Sequence, residues 1–246
     1  MNPADPSALT PERRAALEAF ARRLGLSAPT LEHIDWQLLH QALIHPSWAG
    51  ENGQPSDNDR LEFLGDEVLR LVAAEYLYRT HPELPVGELS AVRSVLVSDA
   101  VLARWAERDE LGACLLISRA HVQDGQVEAR CLADAFEAVL GALYLMPGDL
   151  SMVTDWLLPR LGALTAEVLA DPARRNYKSA LQELTQKHYA ALPDYRQVAI
   201  GPPFVYEVWV DGVCHGRGTG PSKKAAQQAA ARRALESLAA ANHGDY

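Results

Sequence analysis

The sequence predicts an all-α domain followed by a small α+β domain of order α-β-β-β-α, and three observations carry that reading. Up to about residue 190 the apolar residues recur at helical spacing, and no stretch reads convincingly as a strand. Beyond it, residues 195–200, 204–210 and 213–219 alternate or are rich in β-branched and aromatic side chains, with Asp211-Gly212 as a hairpin turn. The charge shifts with the pattern: residues 1–171 carry 13 Lys+Arg against 26 Asp+Glu, a net −13, and residues 172–246 carry 10 against 6, a net +4.

In chain order, residues 1–10 hold prolines at 3 and 6 and are expected to be disordered. Thr10-Pro11-Glu12 reads as a helix start, Thr as the cap and Pro in the first turn, and Gly25 ends that helix. A second helix spans 36–44 and stops before Pro46. His33, His40 and His45 are seven and five residues apart, so no two share a helical face at i, i+4, and packing or capping roles are expected of them. Residues 51–57 form a polar loop. The next helix starts at Asn58 and runs to about Tyr78, Pro82 and Pro85 break it, and residues 88–107 hold one or two more. Residues 111–129 read as turns and irregular chain. Helices follow over 131–144 and, after the Pro147-Gly148 turn, over 151–169 with Pro159 inside. A polar linker at 172–177 separates a first domain at 1–171 from a second at 178–243, whose outer helices are 178–189 and 222–240.

At 246 residues the chain accommodates one large or two ordinary domains. It has no run of 18 apolar residues, and its N-terminus lacks the charged-then-apolar pattern of a secretion signal. No membrane partner is expected. Cys114, Cys131 and Cys214 are dispersed and odd in number, which argues against a disulfide scaffold or a zinc site and for a reducing cytoplasm. A net charge of −9 would disfavour a polyanionic partner, but phosphate neutralisation is local, and the C-terminal part is positive.

Two helices concentrate the chemistry. At 100° per residue, Asp59, Glu62 and Asp66 share one arc of the helix that begins at Asn58, while Leu61, Leu64, Val68 and Leu71 occupy the opposite arc. Like charges at i, i+4 (Glu62 and Asp66) destabilise a helix by a few tenths of a kcal/mol, and a bound divalent cation is one way to offset that. A solvated amphipathic helix shows the same pattern, so this segment alone does not choose. The second helix adds Asp134 and Glu137 at i, i+3 on an otherwise apolar segment with no cationic side chain from Leu132 to Leu145. Such a helix is expected to be largely buried, and ionised carboxylates are rarely buried unless paired or bound to metal. Packed together, the two helices would converge four hard oxygen donors, which suit Mg²⁺, with Mn²⁺ as a substitute, and not zinc.

D-R-L-E-F-L-G-D-E-V-L at 59–69 resembles the signature of the ribonuclease III family, usually written E-R-L-E-F-L-G-D, and D-A-F-E-A-V-L-G-A-L-Y-L at 134–145 resembles its second acidic motif. Q-A-L-I-H-P-S-W-A at 41–49 and E-L-S-A-V-R-S at 88–94, which contains Arg93, are similar to two further family segments. The second domain resembles a double-stranded-RNA-binding domain: K-S-A-L-Q-E-L at 178–184, L-P-D-Y at 192–195, and G-x-G-x-S-K-K-A-A-Q-Q-A-A at 218–230. Gly216, Gly218 and Gly220 before Ser222-Lys223-Lys224 do not meet the Walker spacing, so no nucleotide cofactor is expected.

The resemblance implies an endoribonuclease that hydrolyses double-stranded RNA to 5′-phosphate and 3′-hydroxyl ends with short 3′ overhangs. Its substrates would be ribosomal RNA precursors and structured messenger RNAs. Glu62, Asp66, Asp134 and Glu137 would hold the metal, with Asp66 and Glu137 catalytic. Two metal ions about 4 Å apart can stabilise both the attacking and the leaving oxygen. Asp59 stands where the family usually has Glu, so it is an accessory acidic group at most, and Val86 stands where the family has a further acidic residue. Gln182 and Glu183 would touch a minor groove, while Ser222, Lys223 and Lys224 would meet phosphates at a helix start. The loop Gly201-Pro202-Pro203-Phe204 lacks the histidine of the family's G-P-x-H. Family members act as homodimers, for which Phe63 fits either the dimer contact or the core. The rival from another class is a catalytically silent RNA-binding or ribosome-associated protein with the same fold, whose mark would be lost acidic positions. All four are present.

Overall fold

The computed structural model describes residues 9–26, 28–171, 176–199 and 201–242. The expected disorder at 1–10 falls mostly on residues outside these, as do residues 172–175 of the expected linker. The chain divides into two compact units, Met1–Glu167 and Val168–Tyr246.

In the first unit the cap at Thr10 acts where the sequence places it. Thr10 Oγ1 accepts the Arg13 N–H at 3.2 Å to open α1 (Pro11–Arg23). After α2 (Ala28–Glu32), Asp35 accepts from Gln37 and Leu38 N–H at 2.9 and 3.0 Å to open α3 (Trp36–Ala42). His45 Nδ1 accepts the Ser47 N–H at 3.2 Å and opens α4 (Pro46–Asn52), a capping role for that histidine. His40 Nδ1 takes a hydrogen bond from Arg13 Nε at 3.0 Å. The buried Asn58 ties the start of α5 (Asp59–Thr80) back to the end of α3: its N–H meets Ile44 O at 2.9 Å and its Nδ2 meets Ala42 O at 3.4 Å. Next come α6 (Val86–Leu96) and α7 (Asp99–Arg108).

One feature departs from the expected irregular chain at 111–129. Two-residue strands β1 (Val122–Gln123) and β2 (Gln126–Val127) pair antiparallel across a turn in which Asp124 and Gly125 have φ of 50° and 79°. Residues this short and polar carry no alternation to read, but the left-handed pair at Asp124-Gly125 is a hairpin turn. Among its described residues the regular structure of the first unit is otherwise helical, with one isolated bridge between Ile44 and Leu116.

Its core is α8 (Ala129–Leu145) packed on α5. Phe136 of α8 stacks between Trp105 of α7 (centroids 5.9 Å) and Trp156 (4.5 Å) of α9 (Ser151–Ala170). Arg160 grips the Asp109 carboxylate with contacts of 2.8 and 2.9 Å and lies 5.2 Å from the Trp156 ring, so this inward-facing charge is paired and covered. Helices α5 and α8 touch backbone to backbone at two glycines. A Cβ on Gly65 would overlap the Glu137 carbonyl, and one on Gly141 would overlap the Leu61 carbonyl. Leu61 and Val68 of the expected apolar arc are buried, as are Gly65, Leu69 and Val72, but Leu71 is 55% exposed. The glycine contact rotates the buried face away from it.

In the second unit, α10 (Tyr177–Tyr189) and α11 (Lys223–Asn242) flank an antiparallel sheet of β3 (Asp194–Ala199), β4 (Phe204–Val210) and β5 (Val213–Gly220) in sequential order. Asp194 pairs with Trp209, and Val210 with Val213 across the Asp211-Gly212 turn, whose φ values are 48° and 79°. Leu181, Val208, Val210, Ala226, Ala230, Ala234 and Leu238 form the core. Gly216 and Gly218 of β5 lie against the backbone of α11 at Ala230, so the glycine run that mimics a nucleotide loop is a packing surface.

Candidate metal centre

Helix α5 delivers Glu62 and α8 delivers Asp134 and Glu137. One carboxylate oxygen from each lies within 4.8 Å of the others. All three residues are half-buried. The close crossing at Gly65 and Gly141 makes this possible: Glu62 is one turn from Gly65, and the Glu137 carbonyl is the atom that Gly65 meets.

Asp66 is turned differently. Both of its oxygens accept from Arg70 Nε at 2.8 Å, an i, i+4 ion pair on α5. It still raises the Glu137 carboxyl more than any other neighbouring charge does. Asp59, exposed at the start of α5, is not among the three grouped carboxylates, yet it raises both Glu62 and Asp134. Arg130 stands just before the cation-free window of α8 and reaches Asp134 at 3.8 Å. Neither arginine was singled out from the sequence, although a charge four residues from an opposite one is a readable signal. Asp99, the first residue of α7, was also missed. It raises Asp134 and Glu137 from a third helix.

The electrostatics record crowding. Burial pushes the Glu137 carboxyl up to about 8 from the usual 4.5, and Asp66, Glu62, Asp134 and Asp99 add to the rise. Burial raises Glu62 first, then Asp134 and Asp59, with Arg130 opposing. Asp134 is raised by burial first, Arg130 opposes, and Asp99 and Asp59 add. Three convergent, half-buried oxygen donors with no amine or thiol among them fit a hard divalent cation, which would relieve exactly this repulsion. Freeing Asp66 should strengthen that attraction. In Arg70→Ala the apparent Mg²⁺ affinity is expected to rise roughly two- to fivefold by calorimetry, the scale of a partly exposed ion pair. An unchanged or weaker affinity would mean that Asp66 does not face the cation.

On the second unit Gln182 and Glu183 are exposed on α10, and Lys223 and Lys224 are exposed in the first turn of α11. Ser222 Oγ accepts the Ala225 N–H at 3.2 Å, and its carbonyl takes the Ala226 N–H at 3.0 Å, so Ser222 caps the helix. Lys178 Nζ lies 4.7 Å from the Tyr195 ring centroid and donates to Gln227 Oε1 at 2.8 Å.

Comparison with known proteins follows the same division. A family model described as Ribonuclease-III-like matches residues 35–157, and one described as Double-stranded RNA binding motif matches residues 177–238. "Ribonuclease 3" of Gloeobacter violaceus is 59% identical over 236 residues, 96% of each chain. "Ribonuclease 3 2" of Nostoc is 45% identical, covering 92% of this chain and 93% of that one. The protein of the same name from Synechocystis is 43% identical, covering 94% and 95%.

Proposed function

The chain belongs to the ribonuclease III family, and from that premise we propose how its own residues carry out the family's reaction. It is an endoribonuclease acting on double-stranded RNA. The observation that carries the residue assignment is the meeting of Glu62, Asp134 and Glu137 within 4.8 Å across two interlocked helices.

Glu62, Asp66, Asp134 and Glu137 hold Mg²⁺, for which Mn²⁺ can substitute. Bound there, the divalent ion supplies charge stabilisation to an in-line hydrolysis that leaves 5′-phosphate and 3′-hydroxyl ends. Burial and the neighbouring carboxylates raise the Glu137 carboxyl to about 8, which favours its protonated form at neutral pH in the metal-free protein. Arg70 competes with the cation for Asp66, and Asp59 adds negative potential at the rim. The domain at 1–171 performs the cutting, 172–177 links, and 178–243 grips the duplex. There Gln182 and Glu183 address a minor groove, and Ser222, Lys223 and Lys224 address phosphates at the start of α11. Replacing both lysines by alanine is expected to weaken duplex binding and lower the slope of log affinity against log salt by about two. An unchanged slope in a filter-binding series would remove them from the interface.

We assign the working form as a homodimer. Phe63, Leu71 and Tyr78 lie along one arc of α5, and Phe63, Tyr78 and Val86 are each more than three-quarters exposed. An open cavity of about 490 Å³ is lined by Leu71, Tyr78, Val86 and Leu89 among others. Exposed apolar side chains gathered along one face of α5 support an interface there. Phe63→Asp is expected to yield monomers in sedimentation velocity, and a variant that still sediments as a dimer counts against this surface.

Among the described residues no helix is long and apolar enough to cross a membrane. We assign the protein to the reducing cytoplasm, where free Cys114, Cys131 and Cys214 stay reduced and ribosomal RNA precursors and structured messenger RNAs are at hand. The deciding experiment incubates long duplex RNA with Mg²⁺. Cleavage should disappear in EDTA and in Glu137→Gln while a gel shift persists, and a DNA duplex should stay uncut. Undiminished cleavage by Glu137→Gln would refute the assignment.

A further inference from the structure

A second group of ligand-type side chains lies in the first unit, with different chemistry from the acidic centre. One potential donor atom from each of His121, Glu128 and Cys131 lies within 4.8 Å of the other two. Three elements deliver them. His121 ends the 3-10 turn Arg119–His121, and the β1–β2 hairpin then returns the chain so that the Glu128 N–H donates to the His121 carbonyl at 3.0 Å. The two side chains meet there, His121 Nδ1 to Glu128 Oε2 at 3.1 Å. Cys131, in the first turn of α8, adds a buried thiol from the helix side.

The root of the hairpin is held. The Ser118 N–H donates to Ser47 Oγ at 3.1 Å, and Ser118 Oγ donates to Glu51 at 2.5 Å, both partners being on α4. The ring of His45 stands 5.1 Å from that of His121. A hairpin, its anchor and a core helix therefore position the backbone of the three donors, with the Cys131 thiol buried and the His121 and Glu128 side chains partly exposed.

We propose that His121, Glu128 and Cys131 form a binding site for a borderline transition-metal ion, Zn²⁺ or its analogue Co²⁺, separate from the Mg²⁺ centre. An imidazole, a thiolate and one carboxylate are the donor set that such ions take, whereas Mg²⁺ prefers an all-oxygen shell and gains nothing from the imidazole and the thiolate. Tetrahedral metal–ligand bonds of 2.0–2.3 Å place ligand atoms roughly 3.5 Å apart, which a small side-chain rotation achieves from the observed spread. Three protein ligands leave a fourth position for water. Cysteine spacing alone hides the site, because it uses one cysteine and draws its other ligands from across a hairpin.

The test titrates Co²⁺ into the metal-stripped full chain with excess Mg²⁺ present, so that the acidic centre is already loaded. The expected result is a thiolate-to-cobalt band in the near ultraviolet that saturates at one ion per chain and is displaced by Zn²⁺. Cys131→Ser should abolish the band, and His121→Ala should weaken Co²⁺ binding by at least about tenfold. Cys214→Ser should keep it. So should Glu137→Gln, which separates this site from the nuclease assignment. Circular dichroism confirms that each variant is folded. Absence of a band in the folded protein, a band that survives Cys131→Ser, or undiminished affinity in His121→Ala overturns the proposal.

Discussion

Gly65→Ala is expected to lower cleavage at least about a hundredfold and to destabilise the first unit by about 2 kcal/mol. The added methyl would overlap the Glu137 carbonyl, which is backbone and cannot rotate aside. Local propensity works the other way, since alanine favours a helix over glycine by about 1 kcal/mol. Overpacking by one methyl typically costs 1–3 kcal/mol, and here helices α5 and α8 must separate along their whole contact to relieve it. That separation moves Glu62 away from Asp134 and Glu137, and a misplacement of about 1 Å can cost a factor of 10². In a unit of this size the melting temperature should fall by roughly 4–8 °C. Gly87→Ala on α6 is the control, because a Cβ there meets nothing within 4 Å. Wild-type melting and cleavage in Gly65→Ala would show that the glycine contact does not set the site.

Glu137→Gln is expected to lose about three orders of magnitude in cleavage while making the metal-free protein more stable near neutral pH. On the proposed assignment the rate loss follows from removing a charge that would hold the divalent ion, an effect of several kcal/mol at about 1.4 kcal/mol per decade. The stability gain has a definite sign. Burial and carboxylate neighbours raise Glu137 to about 8 from 4.5, so between those values the folded chain keeps a proton that the unfolded chain has shed. Stability of the metal-free protein should fall as pH rises through that interval, and be insensitive to this group below it. An amide has no proton to lose, so the variant should flatten that part of the profile in thermal melts. A slope identical to wild type would assign the pH dependence elsewhere.

Much of this was legible in the residues. The two acidic motifs, the order α-β-β-β-α and the cap at Thr10 follow from spacing and side-chain type, because helix periodicity and capping are local properties. Three features were not legible, each for its own reason. The exposure of Leu71 depends on how α5 is rotated against α8, and the contact at Gly65 and Gly141 decides that. The turning of Asp66 onto Arg70 rather than into the group of Glu62, Asp134 and Glu137 is a choice among rotamers that periodicity does not address, although the i, i+4 spacing of the two charges is itself readable. The β1–β2 hairpin is too short to alternate, and only the left-handed Asp124-Gly125 turn betrays it. The same hairpin brings His121 to Cys131, so missing it also hid the second ligand group.

The measurement that bears most directly on the central claim is a calorimetric titration of Mg²⁺ into metal-stripped protein at about pH 7, repeated in buffers of different ionisation enthalpy. Uptake accompanied by net proton release is the expected result, because the cation must displace the proton that Glu137 holds. Both the uptake and the release should vanish when Glu62, Asp134 and Glu137 are replaced together by their amides. Equal Mg²⁺ uptake by that triple variant, with no proton released by the wild type, would contradict a metal centre at these three carboxylates.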